Sequence, residues 1–281
     1  MKRNELFRKK HELWLQMLFG AFSIQDEGLF NTLYDFAMIE YRHLNWLGQA
    51  LCDEGTEIDY EKGEIDFQCD RNFALFEKLI GALEEIQTYY PEKEDPMFER
   101  FRSDEIYFIQ KLKMLLQNSG HDAPITAFDK RRIYEGYSFT PKQRDALTLF
   151  LFEESYKEYE LILVYTYVNF FINSKLLSDI FIDLIHESHY HLKSFARMMS
   201  KMGLLSVPRT VMERIYKFED LEQFLIDGIK EEEGAKEECL RLAREVEHEE
   251  FSTFFNFINN QENYHIALME KALEHSRSGG E

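Results

Sequence analysis

Glu262 and His265, near the carboxyl end of the sequence, have the types and spacing of a pair of metal ligands. Three positions make nearly one helical turn, so the two side chains project from the same face of a helix. That face also carries Phe255, Ile258 and Met269, which makes it the apolar face. Because a carboxylate and an imidazole are costly in an apolar core without a partner, we expect a divalent metal ion to bind them.

A carboxylate-bridged pair of metal ions in a four-helix bundle needs a Glu from each of two helices and a Glu-His pair from each of the other two. Glu232 lies 30 positions before Glu262 on an apolar stripe. Two antiparallel helices joined by a short turn would place them at equal height. Glu154 and Glu158 lie one turn apart on the apolar face of an earlier helix. Either of these two could supply the next carboxylate.

The remaining helix of this set carries the ambiguous pair Glu187 and His191. A spacing of four still places both on one face, although the usual spacing is three. If His191 is a ligand, Ser188 stands three residues before it, where the usual motif has Glu. If Glu187 is the carboxylate of the usual motif, Tyr190 stands three residues after it, where the motif has His. We expect His189, which lies off the buried face, to be exposed.

The first half of the chain carries a less complete version of this pattern of Glu and His residues. Glu40 and His43 have the spacing of three on an apolar stripe, but Glu105 is followed by Phe108 where the second half has His265. A phenyl ring has no lone pair for a metal, so we expect a degenerate or empty site, with Glu40, His43 and Glu105 as an open alternative. Without a metal, a buried Glu40 should have a raised pKa. Glu12, together with Glu77 or Glu84, could complete a set of carboxylates here.

Long helices are needed to position these residues, and the composition favours them. Among 281 residues there are only 13 glycines and 5 prolines, and 44% of the residues are hydrophobic. Residues 57–67 alternate around Lys62-Gly63 and predict a short β-hairpin. Apolar periodicity predicts helices over residues 5–19, 28–51, 73–89, 97–116, 140–172, 173 or 174 to 203, 221–247 and 249–274.

The predicted fold is all-α, with two tandem four-helix bundles and the hairpin-like insertion in the first. The predicted domains are residues 1–120 and 140–281, with 121–139 as the connection. The surrounding stretch, residues 118–141, is rich in Gly, Pro, Asp and basic residues. Asp104-Glu105-x-x-Phe108 matches Gln261-Glu262-x-x-His265 in outline, which favours an internal duplication.

Charge and cysteine content exclude several classes of protein. A formal charge of −19 argues against a nucleic-acid-binding surface and suits attraction of metal cations. Three cysteines without a C-x-x-C motif encode neither a disulfide framework nor a rubredoxin-type iron site. The first residues lack the pattern of a signal peptide, and no apolar run reaches membrane-spanning length. We therefore expect a cytoplasmic protein without a membrane partner.

With these residues the chain resembles the ferritin-like superfamily, in particular the rubrerythrin and manganese-catalase type of bundle. The ligands that the resemblance implies are Glu154 or Glu158, Glu187, His191, Glu232, Glu262 and His265. It implies a dinuclear iron or manganese site, without haem, flavin or nucleotide.

In function, the resemblance implies an oxidoreductase acting on peroxide, dioxygen or ferrous iron. Tyr165, Tyr190 or Tyr264 would then serve as a hydrogen-bond donor or radical relay. The expected partners are metal ions and small oxidants, and homodimer formation is left open. The alternatives are iron handling or metal buffering, and a structural bundle without turnover.

Overall fold

The computed structural model describes residues 3–65, 69–91, 95–125, 139–217, 220–246 and 248–278. Within these ranges the regular structure is helical and no β-strand occurs. None of the helices in the described ranges is both long and apolar enough to cross a membrane. The helices are α1 (Arg3–Ser23), α2 (Glu27–Asp53), α3 (Asn72–Gln87), α4 (Pro96–Leu115), α5 (Pro141–Asn169), α6 (Lys175–Lys201), α7 (Glu213–Tyr216), α8 (Leu221–Glu245) and α9 (Glu249–Arg277).

Polar side chains fix where several helices begin. Asp26, Asp95 and Asp220 each accept a hydrogen bond from a backbone N–H in the first turn of the helix that follows. Thr140 and Gln143 form a reciprocal capping box at the start of α5. Gly203 follows α6 with a φ of 79°, the left-handed conformation that glycine adopts after the end of many helices. The all-α prediction is confirmed for the described residues.

The chain divides into two compact units. The first unit is Met1–Ile133 with Met199–Val211, and the second unit is Tyr134–Met198 with Met212–Glu281. The last turn of α6 therefore belongs to the first unit together with the segment after it. The predicted domains 1–120 and 140–281 stay a prediction, and most of the predicted connection, residues 126–138, lies outside the described residues.

In the first unit, four helices contact one another in a ring: α1 contacts α2 and α3, and α4 contacts the same two helices. Aromatic side chains fill the space between them. Trp14 lies against Tyr41, with ring centroids 5.1 Å apart, and Phe36 stacks on Phe108 at 4.2 Å. One row of residues on each of these four helices therefore faces a common core.

In the second unit, α8 packs along α9, and α5 contacts α8 and the short α7. The Phe150 ring of α5 meets Phe195 of α6 edge-on at 5.6 Å and Phe255 of α9 at 5.3 Å. Leu225 and Leu242 of α8 are buried as well. The four long helices α5, α6, α8 and α9 therefore share one core.

The segment predicted as a β-hairpin has no strand in its described part, residues 57–65, and residues 66–67 lie outside the described ranges. Instead it is held by side chains of α1. Arg8 donates to both carboxylate oxygens of Asp59 at 2.7 Å, and Glu12 accepts from the Gly63 backbone N–H at 2.7 Å. The alternating Ile58 and Tyr60 are buried against the helices, so the apolar alternation reflects packing on α1 and not pairing between strands.

Candidate metal centre

The core of the second unit contains a group of ionisable side chains from all four long helices. Glu158 comes from α5 and Glu232 from α8, and α6 and α9 each supply a Glu and a His. This is the residue complement that a dinuclear carboxylate site in a bundle requires. The group, which we call the Glu/His cluster, consists of Glu158, Glu187, His191, Glu232, Glu262 and His265.

His191 lies at one end of the Glu/His cluster. Its Nδ1 is 2.8 Å from Glu158 Oε1 and 3.8 Å from Glu262 Oε1, and its side chain is fully buried. The imidazole of His191 therefore faces the carboxylates of α5 and α9, although His191 is four positions from Glu187 and not three.

His265 lies at the other end. Its Nδ1 is 3.1 Å from Glu262 Oε2 and 3.6 Å from Glu232 Oε2, and its Nε2 is 3.8 Å from Glu187 Oε2. Glu262 therefore points one oxygen toward His191 and the other toward His265. A carboxylate in that position can bridge two metal ions.

Ligand atoms in this cluster converge closely. Within each of three sets of described residues, the ligand atoms lie within 4.8 Å of one another. The sets are Glu158, His191 and Glu262; Glu232, Glu262 and His265; and Glu187, His191 and His265. The first two sets share Glu262, so each of them could hold an ion beside the other.

The donor set fits divalent transition metals. Four carboxylates and two imidazoles combine hard oxygen with borderline nitrogen ligands, and two divalent cations would balance the four negative charges. Among the described residues, Glu158 Oε2 and His265 Nε2 have no hydrogen-bond partner although both are buried. Buried polar atoms without a partner are costly, so a ligand for them is expected.

Protons partly neutralise the cluster when no metal is bound. Burial, reinforced by neighbouring Glu232, raises the pKa of Glu262 to about 8. Burial alone would lower the pKa of both imidazoles, but Glu158 raises the pKa of His191 to about 9, and Glu232 and Glu262 raise the pKa of His265 to about 11. Metal ions would have to displace these protons.

We therefore expect metal binding to release protons and to weaken as the pH falls. His191, His265 and Glu262 hold protons at neutral pH, so Mn²⁺ affinity should drop when the pH is lowered from about 8 to about 6. Calorimetric titration with Mn²⁺ in buffers of different ionisation enthalpy measures the number of protons released. An affinity that does not change with pH would contradict this expectation.

Gln261 is a functional candidate that the sequence did not identify as such. Its Oε1 is 3.1 Å from His191 Nε2, and its amide nitrogen donates to Glu187 Oε2 at 2.7 Å. Because the amide oxygen can only accept, His191 Nε2 carries a proton and Nδ1 is the nitrogen available to a metal. Gln261 thus holds His191 and Glu187 in position.

The structure separates Glu154 from Glu158. Glu154 forms an ion pair with Lys157 at 3.2 Å and belongs to none of the ligand sets found among the described residues. Burial raises its pKa to about 7. Glu158, one turn later, is the carboxylate of α5 that contacts His191.

The expectation that His189 is exposed is wrong. His189 is buried, and burial lowers its pKa to about 3. It lies in one row with Ile185 and Leu192, which are also buried, so α6 buries a wider stripe than the sequence indicates. His189 belongs to none of the ligand sets of the described residues.

Replacing His191 with Ala is expected to remove at least one metal ion per chain, because His191 belongs to two of the three ligand sets. His189→Ala is the matched control: it should lower stability by leaving a cavity but keep the metal. Metal analysis after reconstitution measures both. Equal metal losses in the two variants would show that the side of α6 that faces the cluster is assigned wrongly.

A cavity of about 100 Å³ adjoins the Glu/His cluster between α5, α8 and α9. Glu158, Glu232 and Glu262 form part of its wall, and so does Tyr165. The Tyr165 hydroxyl is buried and has no hydrogen-bond partner among the described residues, while burial raises its pKa well above the usual range. Tyr165 therefore offers a protonated hydroxyl to the cavity.

The other two candidate tyrosines differ from Tyr165 in position. Tyr190 and Tyr264 are 44% and 48% exposed. The Tyr264 hydroxyl donates to Asp183 at 3.3 Å. Of the three tyrosines named from the sequence, only Tyr165 lines the cavity next to the cluster.

The first unit brings Glu40, His43 and Glu105 together, with ligand atoms within 4.8 Å of one another, but also places a lysine among them. Lys10 is fully buried, and its Nζ donates to Glu40 Oε2 and, at 2.9 Å, to Glu105 Oε1. The sequence reasoning missed Lys10. A pattern that could have found it is the row Leu6, Lys10, Trp14 on the apolar stripe of α1.

Lys10 also overturns the expected pKa of Glu40. Burial alone would raise it, but the charge of Lys10 and the hydrogen bond that Lys10 donates outweigh burial and lower the pKa of Glu40 below its usual range. The prediction of a raised pKa was therefore wrong. Glu12 and Glu84 do not join this group, since they bind Gly63 and Lys113.

The comparisons with protein-family models, curated proteins and solved structures find no match to this chain. What the site can do therefore follows from its own donor atoms. In the second unit, these are acidic oxygens and imidazole nitrogens converging on two positions; in the first, they already surround an ammonium group.

Proposed function

We propose that the second unit is a ferritin-like four-helix bundle that binds two ions of iron or manganese. The observation that supports it most is the position of Glu262, with one oxygen directed toward His191 and the other toward His265. The ring of helix contacts in the first unit supports a second bundle of the same kind in tandem, with Lys10 among its buried polar residues.

We further propose an oxidoreductase that acts on peroxide, dioxygen or ferrous iron. A pair of redox-active ions supplies the electron transfer when bound. The adjoining cavity of about 100 Å³ holds several water-sized molecules but is smaller than the roughly 300 Å³ of pockets for larger organic ligands. A small oxidant or a metal cation therefore fits better than an organic substrate.

Side chains around the cavity suit proton handling. The Tyr165 hydroxyl can donate a hydrogen bond to a molecule in the cavity. Glu154, which also lines it, has a pKa of about 7 and can hold or release a proton near neutral pH. Lys157, paired with Glu154, adds a positive charge beside the same wall.

The second candidate function is metal buffering without turnover. The cavity wall carries further acidic residues, Glu160, Asp227 and Glu231, and this charge favours the approach of cations. Such a wall serves a metal-binding protein whether or not an oxidant follows. Turnover is what separates the two functions.

Both functions are tested on the full chain after reconstitution with Fe²⁺ in the absence of oxygen, or with Mn²⁺, by measuring metal content and turnover. Two metal ions per chain, with peroxide consumption or ferrous oxidation, would support the oxidoreductase. Two ions without either reaction would favour buffering. If no iron, manganese or zinc is retained, both proposals fail and a structural bundle is the better interpretation.

A further inference from the structure

We infer that the first unit contains a divalent-metal site in which the ammonium group of Lys10 takes the place of the ion. Removal of the Lys10 side chain then uncovers a mononuclear site formed by Glu40, His43 and Glu105. This inference concerns helices α1, α2 and α4 and does not rest on the function proposed for the second unit.

The surroundings of Lys10 are those of a bound cation. Its Nζ donates to Glu40 Oε2 and to Glu105 Oε1, and it lies 3.4 Å from His43 Nδ1. All four side chains are completely buried. An ammonium group has no lone pair, so these three atoms face it as acceptors. Two carboxylate oxygens and one imidazole nitrogen thus converge on a single positive charge.

His43 is oriented as metal-ligating histidines are. Its Nε2 is 3.0 Å from Asp104 Oδ2, and Arg100 donates to the same oxygen at 2.8 Å. A carboxylate on one ring nitrogen fixes the proton there and leaves the lone pair on the other. The Nδ1 lone pair is therefore directed at the place of the cation, whichever cation is present.

Glu105 has the capacity to bind a metal. Its Oε1 accepts from Lys10 and from the Tyr90 hydroxyl. Its Oε2 is buried and has no hydrogen-bond partner among the described residues. With Glu40 and His43 it gives two oxygens and one nitrogen, the type of three-ligand set that Zn²⁺ accepts together with a water molecule.

The two units show the same arrangement around this point. Lys10 precedes His43 by the same 33 positions by which Glu158 precedes His191, and in both units the two residues are in contact. The Nε2 of His191 meets Gln261 as the Nε2 of His43 meets Asp104. At the place where the second unit has the anion Glu158, the first has a cation. In the first unit the ammonium group of Lys10 therefore supplies positive charge at the place where a metal ion would supply it.

The test measures zinc binding in a chain whose second site is disabled by Glu262→Ala, so that a failure of the dinuclear proposal cannot affect it. In this background, Lys10→Ala is compared with Lys10→Met. We expect Lys10→Ala to bind one more Zn²⁺ per chain than the parent and to gain melting temperature when Zn²⁺ is added. Lys10→Met, whose side chain still fills the space, should gain neither.

A third variant adds His43→Ala to Lys10→Ala and should lose the additional zinc. Equal zinc content in Lys10→Ala and its parent would overturn the inference, and so would a gain that survives His43→Ala. Refolding is carried out with Zn²⁺ present. Failure of Lys10→Ala to fold under these conditions would also contradict the inference, because the ion should then replace the ammonium group.

Discussion

Replacement of Glu262 by Ala is expected to remove both metal ions and to reduce any peroxide or ferrous turnover by roughly a hundredfold or more. Glu262 is the carboxylate that two ligand sets share, and its two oxygens face His191 and His265. Without it, each ion position loses a ligand, and the two imidazoles lose the anion between them. Glu262→Gln keeps the shape but not the charge and should also fail to retain the pair of ions.

The matched control is Glu231→Ala. Glu231 is next to Glu232 on α8 and lines the same cavity, but it belongs to none of the ligand sets of the described residues. It should keep the metal. In the first unit, Glu40→Ala should change stability and leave turnover intact. Metal analysis and turnover assays on these variants decide the assignment; activity lost with Glu40→Ala but kept with Glu262→Ala would reverse it.

Much of the architecture could be predicted because these helices bury one face each. The predicted ranges 28–51 and 221–247 correspond to α2 and α8 with end differences of at most two residues. The same periodicity identified Glu232, Glu262 and His265, since an ionisable residue on an apolar stripe is conspicuous. Spacing could not choose between Glu154 and Glu158, because both lie on the buried face and only the tertiary contacts of His191 distinguish them.

Apolar periodicity could not identify the roles of Lys10, Gln261 and His189, for a different reason in each case. A long lysine side chain on an apolar stripe can extend to the surface, so the sequence does not say whether the amine of Lys10 enters the core. Gln261 acts through its amide, which carries no charge to mark it. His189 was misplaced because α6 is covered on more than one side, which a single amphipathic stripe does not predict.

Replacement of Lys10 by Met is expected to lower the free energy of unfolding of the first unit by about 3–5 kcal/mol, the usual cost of removing one partner from a buried ion pair. Methionine has a similar length and leaves no large cavity, so the loss would come from charge. Glu40 would then be buried without its cation. Lys9→Met is the matched control, because Lys9 pairs with Glu12 near the surface and should cost about 1 kcal/mol or less.

The pH dependence separates a charge effect from a packing effect. In the wild type the lowered pKa of Glu40 contributes stability above the pKa of the unfolded chain, and this contribution is lost as the pH falls through the pKa of the folded protein. In Lys10→Met, burial without the ammonium should raise the pKa of Glu40, so protonation at acid pH would favour the folded state. The cost of Lys10→Met should therefore be smaller at about pH 5 than at about pH 8, as measured by denaturant unfolding. An equal cost at both pH values would mean that Lys10 acts through packing. The double variant Lys10→Met with Glu40→Gln checks this independently. A charge effect requires the double variant to be more stable than Lys10→Met alone, whereas a packing effect predicts no such gain.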